Sequence, residues 1–396
     1  MNGLIIDCFA GGGGASEGIE EALRRPCDIA VNHDPKAIAM HQANHPFTYH
    51  MTEDIFEADI ASVVKGRQVD LMWASPDCTS HSRAKGGKPR ESGLRILPWA
   101  VYKHAKSVQP DVVIMENVAE IKKWGPLDGD GHPIKEREGE EYQRFVSAMG
   151  DLGYEFECRE LVAADFGAPT TRKRWYAVLR RDGKRIAWPE QTNSDGGDLF
   201  HDPWIPVSEC IDFDDIGCSI FDRPKPLADA TMRRIARGIE KFVTCGEPFI
   251  VGGKAAFITK FYHTGTGQSC REPLHTITQS PGHFGLVSAF LVKYYGCGTG
   301  QSVNEPLGTI TAVDRFGLVT VEFNGETYVV SDIYLRMLKP HELKRAQGFP
   351  ENYIIDRYDN GKPVPVKQQV KMIGNSVVPV MARRIVEANI IKEVTV

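Results

Sequence analysis

The polar residues that most need a reason are one cysteine, one glutamate and two arginines. Cys78 follows Pro76 and Asp77 in "ASPDCTSHSRAKGG" (74–87), a run with almost nothing apolar, so its thiol is a candidate nucleophile as well as one of nine cysteines. Glu116 ends the apolar run "VVIM" (112–115), where a buried carboxylate calls for a purpose such as proton handling. Arg172 and Arg174 alternate with Thr171, Lys173 and Trp175, so on a strand both point one way, as a pair binding negative charge would. A nucleophile, an acid–base group and an anion binder are the parts of covalent catalysis. Each has a bland rival: a structural thiol, a surface carboxylate, a plain exposed strand.

Something must hold these residues together. "GLIIDCFAGGGGASEGIEEAL" (3–23) reads as a short strand from Leu4 to Ile6, a turn through Gly11, Gly13 and Gly14, and a helix with Ile19 and Leu23 on one side. Glycines let a ligand approach the backbone, and a helix start offers free N–H groups. No G-K-[ST] follows, and Asp7 at the strand's end would repel a pyrophosphate, so a cofactor without phosphates fits better. Further strand-like runs at 28–34, 69–76, 111–118 and 175–181 alternate with helix-like stretches, which predicts an α/β fold with a parallel sheet and helices on both faces. Ligands bind beyond the carboxyl ends of such strands. Asp7, Asn32, Asp34, Asp54, Cys78 and Glu116 all lie at or just after such ends, so one cleft can collect them.

With 396 residues, 42% hydrophobic and 25% charged, the chain can bury a real core and is long enough for two or three domains. No C-x-x-C pair occurs, so neither a disulfide framework nor a zinc or other metal site is expected. No stretch resembles a signal peptide or the roughly 20 apolar residues of a membrane helix, so a cytoplasmic protein off the membrane is expected. The formal charge of −5 argues against a protein coated in nucleic acid, but the basic residues cluster. Arg83, Lys85, Lys88, Arg90 and Arg95 form one group; Arg223, Lys225, Arg233, Arg234, Arg237 and Lys241 form another. A charge run is more often a solvated face than a binding site.

The order of motifs resembles that of the DNA cytosine-5 methyltransferases. "DCFAGGGG" (7–14) is similar to the family's cofactor glycine motif, "EDI" (53–55) to its adenine-contact motif and "SPDCTSHS" (75–82) to its nucleophile loop. "MENV" (115–118) matches its Glu-Asn-Val, "FGAPTTRKRWYAV" (166–178) its paired arginines, and "LKPHELKRAQGFP" (338–350) and "IGNSVVPVMARRI" (373–385) its last two motifs. The departures are Asp77 where the family has proline, Thr79 and His81 after the cysteine, and Thr170 in place of the glutamine that opens the arginine motif. The resemblance implies a Rossmann-like methyltransferase domain that uses S-adenosylmethionine, releases S-adenosylhomocysteine and acts on double-stranded DNA. It implies Cys78, Glu116, Arg172 and Arg174 as catalytic residues. For the cofactor it implies Phe9, Ala10, Gly11, Gly13, Gly14, Asp54, Ile55, Pro76, Leu97, Asn375, Ser376 and Val377, with Asn32 or Asp34 toward the ribose. A basic loop from Ser82 to Pro98, with Ser82, Arg83 and Lys85, would close on DNA. Asn375 and Ser376 have a rival reading as caps of a helix starting near Pro379.

Residues 257–287 and 290–319 repeat one another at an offset of 33 (290 − 257). Each copy reads as a strand, a Gly-Thr-Gly turn, Glu-Pro-Leu, a short "TIT" strand and "FGLV", so the unit is β-rich. In the resembled family this region reads the target sequence, which makes Thr266, Gln268, Thr299 and Gln301 candidate DNA contacts, with Arg234 from the basic helix pattern at 223–242; a merely structural repeat is the rival. The expected organisation is a catalytic domain at 1–190, a recognition domain at 191–330 entered by the Gly- and Pro-containing linker 188–204, and a return segment at 331–396. A monomer is expected, with a restriction endonuclease as a possible companion. An RNA cytosine-5 methyltransferase, a catalytically silent DNA-binding relative and a nicotinamide oxidoreductase are the alternatives.

Overall fold

The computed structural model describes residues 2–77, 96–261, 265–279, 282–293, 320–323 and 326–391. Its chain divides into two compact units: Met1–Ile205 with His275–Pro281 and Leu343–Val396, and Pro206–Leu274 with Gly282–Glu342.

The first unit is built on β1 (Leu4–Cys8), α1 (Gly14–Leu23), β2 (Ile29–Val31), α2 (Pro35–Asn44), β3 (Tyr49–Met51), α3 (Ile60–Val64), β4 (Val69–Ala74), α4 (Leu97–Val108), β5 (Val112–Asn117), α5 (Glu140–Asp151), β6 (Glu155–Val162) and β7 (Lys173–Arg180). The sheet order is β3-β2-β1-β4-β5-β7-β6. The five strands from β3 to β5 are parallel, as the alternating pattern predicts. β7 is the departure: it runs antiparallel between β5 and β6, because only a one-turn 3-10 helix at Ala163–Phe166, and no crossover α-helix, follows β6 before the chain turns back. β1, β4 and β5 are buried along their whole length, and their side chains sort by alternation into two cores. Ile6, Met72 and Val113 pack on one face with Ile60, Val101 and Phe145; Ile5, Leu71 and Ile114 pack on the other with Ile19, Met381 and Ile385. Met381 and Ile385 come from the end of the chain, so the first 190 residues alone cover that face only in part. The linker is ordered, with β8 (Asn193–Ser194) pairing with β9 (Asp202–Pro203) and Trp204 Nε1 donating to Asp165 at 3.0 Å; the unit therefore extends to Ile205 instead of 190.

The second unit holds β10 (Cys218–Ser219), α6 (Asp229–Ile239), β11 (Phe249–Val251), β12 (Lys254–Lys260), β13 (Gln268–Ser269), β14 (Phe284–Lys293), β15 (Thr320–Phe323) and β16 (Glu326–Met337). Its sheet has the order β10-β16-β14-β12-β11, with β13 on β12 and β15 on β16, and every pairing is antiparallel. α6 lays Ile235 and Ile239 on Phe257, Val287 and Leu335; Gly238 allows the approach, since a Cβ there would lie 2.2 Å from the Phe257 ring. Because β16 belongs to this sheet, the return begins at Leu343 and not at 331. The first repeat copy forms β12, β13 and β14, but its "TIT", Thr276–Thr278, is no strand, and the segment groups with the first unit. Most of the second copy lies outside the described residues.

The return adds α7 (Pro340–Ala346), α8 (Val366–Asn375) and α9 (Pro379–Val386). No described helix is long and apolar enough to cross a membrane.

Candidate active site

The carboxyl ends of β1, β4 and β5 lie where the strand order reverses, with β2 on one side of β1 and β4 on the other. After β1 the chain turns sharply: Phe9, Gly11 and Gly13 have φ of 63°, 55° and 93°. The return segment holds this turn. Tyr353 donates its hydroxyl to the Gly12 carbonyl; a side chain at Gly13 would sit 2.2 Å from that hydroxyl, and one at Gly14 would sit 2.0 Å from Ser376 Oγ and 2.2 Å from the Val377 carbonyl. Ala10 donates its N–H to the Val31 carbonyl at 3.1 Å, tying the turn to β2. α1 then starts with no side-chain cap from Gly13, while the Ser16 N–H in its first turn bonds to the Asp7 carboxylate.

The other expected cofactor residues surround this point with different commitments. Asp34 caps α2, accepting from Lys36 N at 2.9 Å, with Lys371 Nζ 3.5 Å away; Asn32 Oδ1 accepts from Asp34 N at 2.8 Å. Both side chains are thus tied into the turn that starts α2. Asp54 is exposed and accepts from Phe56 N; Ile55 is buried and its carbonyl takes His104 Nε2 at 2.7 Å. Pro76 is buried, and Leu97, half-buried, opens α4. Asn375 is exposed, while Ser376 and Val377 are buried; α9 is capped by neither Asn375 nor Ser376, whose hydroxyl bonds to the Val377 carbonyl.

Glu116 is 7% exposed and its Oε1 lies 3.2 Å from Arg174 Nε. The N–H does not point along that line, so the contact is a charge pair rather than a linear hydrogen bond. The antiparallel register sets Trp175 opposite Asn117, which brings Arg174 to the end of β5. Asn117 is fully buried; it donates to the Pro76 carbonyl at 3.0 Å and accepts from Val118 N at 2.9 Å. It thereby fixes the chain two residues before Cys78. Cys78 itself lies outside the described residues, as do Ser82, Arg83 and Lys85, and so does most of the basic loop. Asp77 is exposed.

Arg172 and Arg174 meet different partners. It is 4% exposed and donates Nη1 to the carbonyls of Gly374, at 3.0 Å, and Ile277, at 3.3 Å. Two of its partners are peptide oxygens of the closing motif and of the first repeat copy. In the second unit Gln268 is 1% exposed and donates to the Pro273 carbonyl at 2.9 Å. The structure thus places the Gln268 amide inside its own loop. Thr266 and Arg234 are half-buried; Thr299 and Gln301 lie outside the described residues.

Behind the glycine turn runs a buried polar chain that the sequence reading missed. Ser16 Oγ donates to Asp7 at 2.7 Å; the hydroxyl then accepts from His41 Nε2 at 3.0 Å, leaving His41 Nδ1 to accept from His50 at 2.8 Å. Burial pushes the Asp7 carboxyl up to about 7, against the Ser16 hydrogen bond and the nearby His45, which pull it down. Burial also holds His41 well below the ordinary histidine value. Asp7 points into this chain and so bears on the turn from behind. The available signal was His41 and His45, four apart and hence on one face of α2.

Residues 4–203 and 287–391 match the profile of the C-5 cytosine-specific DNA methylases. The chain belongs to that family. Among relatives of the methylase, the Type II methyltransferase M1.HphI of Haemophilus parahaemolyticus is 27% identical over 53% of this chain and 55% of its own. M.SacI of Streptomyces achromogenes is 26% identical over 48% and 51%, and M.AquIA of Picosynechococcus 28% over 49% and 78%. The chain thus spans about half the length of the first two. In solved structures the fold is similar to that of the S. pombe Dnmt2 methyltransferase, with TM-score 0.56, 15% identity and 98% of both chains covered. The Spodoptera frugiperda DNMT2 mutant gives 0.55 and 17%, over 96% of this chain and 98% of that one. For a methylase of this family the methyl donor is S-adenosylmethionine. The residues present fit it: Cβ atoms at Gly13 and Gly14 would strike Tyr353, Ser376 and Val377, so the turn keeps a bare backbone that a ligand can approach.

Proposed function

We propose that the protein methylates carbon 5 of a cytosine flipped out of a specific duplex DNA sequence. The Glu116–Arg174 pair, set at the end of β5 beside the Asn117-anchored Pro76, carries the reading. Carbon 5 is a poor nucleophile, and a covalent helper at carbon 6 makes it electron-rich. The Cys78 thiolate adds at C6, Glu116 holds N3 and the exocyclic amine, and Arg174 binds the carbonyl oxygen. Arg172 acts one step behind, holding backbone. When bound, S-adenosylmethionine supplies an electrophilic methyl group and ends as S-adenosylhomocysteine; Gly11, Gly13, Gly14, Ser376 and Val377 hold it. Elimination of the Cys78 thiolate, with loss of the C5 proton, frees the product. Because the target atom is hidden in a stacked pair, the base must leave the duplex.

The reading includes a monomer that works on double-stranded DNA in the cytoplasm. A companion restriction endonuclease is part of it because the relatives carry Type II names. The test is transfer of labelled methyl to mixed-sequence duplex DNA and, separately, to tRNA, with Cys78→Ser alongside. Transfer to DNA by the wild type alone supports the mechanism and reveals the site. Equal transfer by both proteins, or transfer to tRNA only, overturns it.

A further inference from the structure

His45 caps the end of α2, and its side chain is 1% exposed. Each ring nitrogen faces an oxygen that has no hydrogen to give. Nδ1 lies 3.0 Å from the Glu20 carboxylate oxygen Oε2. Nε2 lies 3.4 Å from the Tyr353 hydroxyl oxygen and 3.8 Å from Glu17 Oε2. The Tyr353 proton is already given to the Gly12 carbonyl, so toward His45 the phenol oxygen can only accept. A neutral imidazole carries one N–H and serves one side alone; serving both takes the imidazolium, with an N–H on each nitrogen.

The groups around the ring favour that charge. α1 presents Glu17 and Glu20, and β1 presents Asp7. On the basic side stand His41, whose ring centre is 4.6 Å away on the same helix, and His50 of β3; burial holds both below the ordinary histidine value, so neither competes as a cation. Burial pushes the Glu17 carboxyl up, against the pull of His45. Burial, with Glu17, Asp7 and Glu20 nearby, holds Tyr353 well above the usual tyrosine value, so it keeps the proton that Gly12 receives. The contacts run from Glu20 through His45 and Tyr353 to Gly12 and thereby tie α1, the end of α2 and the return segment to one carbonyl of the turn. Gly13 packs on the same ring: a Cβ there would come within 3.0 Å of His45 Nε2.

We propose that His45 is a positioning residue that, as an imidazolium, clamps Tyr353 and α1 about the glycine turn and so couples affinity for the methyl donor to its own protonation. The inference rests on the reading that this turn holds the donor. His45 acts through Tyr353 and touches no reacting atom. When the ring loses a proton, one of its two sides loses its hydrogen, so the clamp is complete at low pH and slackens as pH rises.

The test is calorimetric binding of S-adenosylhomocysteine to the full chain without DNA, from about pH 6 to about pH 8.5, across the range in which histidines change charge. The wild type is compared with His45→Gln and Tyr353→Phe, each checked for folding by circular dichroism. A hydrogen bond to a charged group is worth roughly tenfold or more, so both variants should bind about that much more weakly at the lowest pH and approach the wild type at the highest. Taking the ratio of variant to wild type cancels the titration of the ligand's own amine. Tyr353→Phe removes one oxygen and keeps Asp7, Glu17, Glu20, His41 and His50, so it carries the test even where His45→Gln does not fold. Nitrogen-15 spectra of the histidine side chains tell an imidazolium from either neutral tautomer and should show a hydrogen on both nitrogens of His45 at the lowest pH. A neutral His45 there overturns the proposal, as does a ratio that stays constant with pH, which is how a merely structural brace would behave. Absence of binding by the wild type at every pH refutes the donor site and this inference with it; binding with a constant ratio refutes the clamp alone.

Discussion

The strand-end cleft of the first unit and the helix face of the second use charge in opposite ways. In the cleft the buried groups have partners close by: Glu116 has Arg174, Asp7 has Ser16 and through it the histidine chain, and Arg172 has two carbonyls. On α6 the cations Arg233 and Arg237 are exposed. The difference teaches what burial demands, since buried charge must be matched and fixes geometry, whereas exposed charge is answered by water and mobile ions. The sharpest way to break the comparison is Glu116→Gln, which keeps shape and removes charge. Methyl transfer is expected to fall by roughly 10²- to 10⁴-fold, with the melting temperature close to that of the wild type. A rate within threefold would mean that the matched pair is merely structural.

Buried charge in the second unit tests whether matching alone marks function. Glu342 is fully buried and accepts Arg336 Nη2 at 2.6 Å and Nη1 at 2.7 Å, along with the N–H groups of Asp212 and Lys339. No chemistry-bearing residue touches it, so it is read as a strut. Glu342→Ala should destabilise by about 3–5 kcal/mol in urea titrations, because it strips a buried guanidinium of its bidentate carboxylate and leaves it with carbonyls and the more distant Asp215. In the first unit, Asp7→Asn probes the chain behind the turn. A carboxyl raised from 3.8 to about 7 favours folding while protonated, and this stability is lost as pH climbs between those values. The variant should therefore gain on the wild type by up to ~4 kcal/mol from pH 4 to pH 7, at about 1.4 per pH unit. His41, held low, works against this in the wild type: its contribution to stability rises with pH toward the ordinary histidine value. Denaturation at four pH values in that range decides; a constant difference would show that Asp7 titrates normally.

Much of the cleft was legible because its signals are local. Apolar runs at 69–76 and 111–118 give strands whose ends are polar, and the glycines at 11–14 announce a turn without side chains. What stayed hidden depends on partners far away in sequence. Tyr353 reaches Gly12 across 341 positions, and nothing at either site names the other. Thr276–Thr278 has strand-like residues, but its Ile277 carbonyl is used by Arg172 and its backbone lies against Gly374, where a Cβ would come within 2.3 Å of the Thr278 carbonyl. Tertiary contact overrode β propensity there. Gln268 reads as a base contact because glutamine can be one; burial, which the sequence does not state, places its amide inside its own loop.

The smallest expected effect separates the two arginines that sequence spacing had paired. Arg172 bridges segments 105 and 202 residues away, so its removal leaves the Ile277 and Gly374 carbonyls without their donor. Each lost buried hydrogen bond costs about 1–3 kcal/mol, and Arg172→Ala should lower stability by that order. Gly374 immediately precedes Asn375 and Ser376, so slack here should appear mainly as a higher KM for S-adenosylmethionine. Arg174→Lys should instead lower kcat and leave that KM near its wild-type value, because a single ammonium replaces a planar fork at the reacting base without touching the closing motif. Steady-state kinetics on both variants checks the split. If Arg172→Ala lowers kcat alone, Arg172 belongs with Arg174 at the base; if both variants raise KM alone, neither touches the reacting ring.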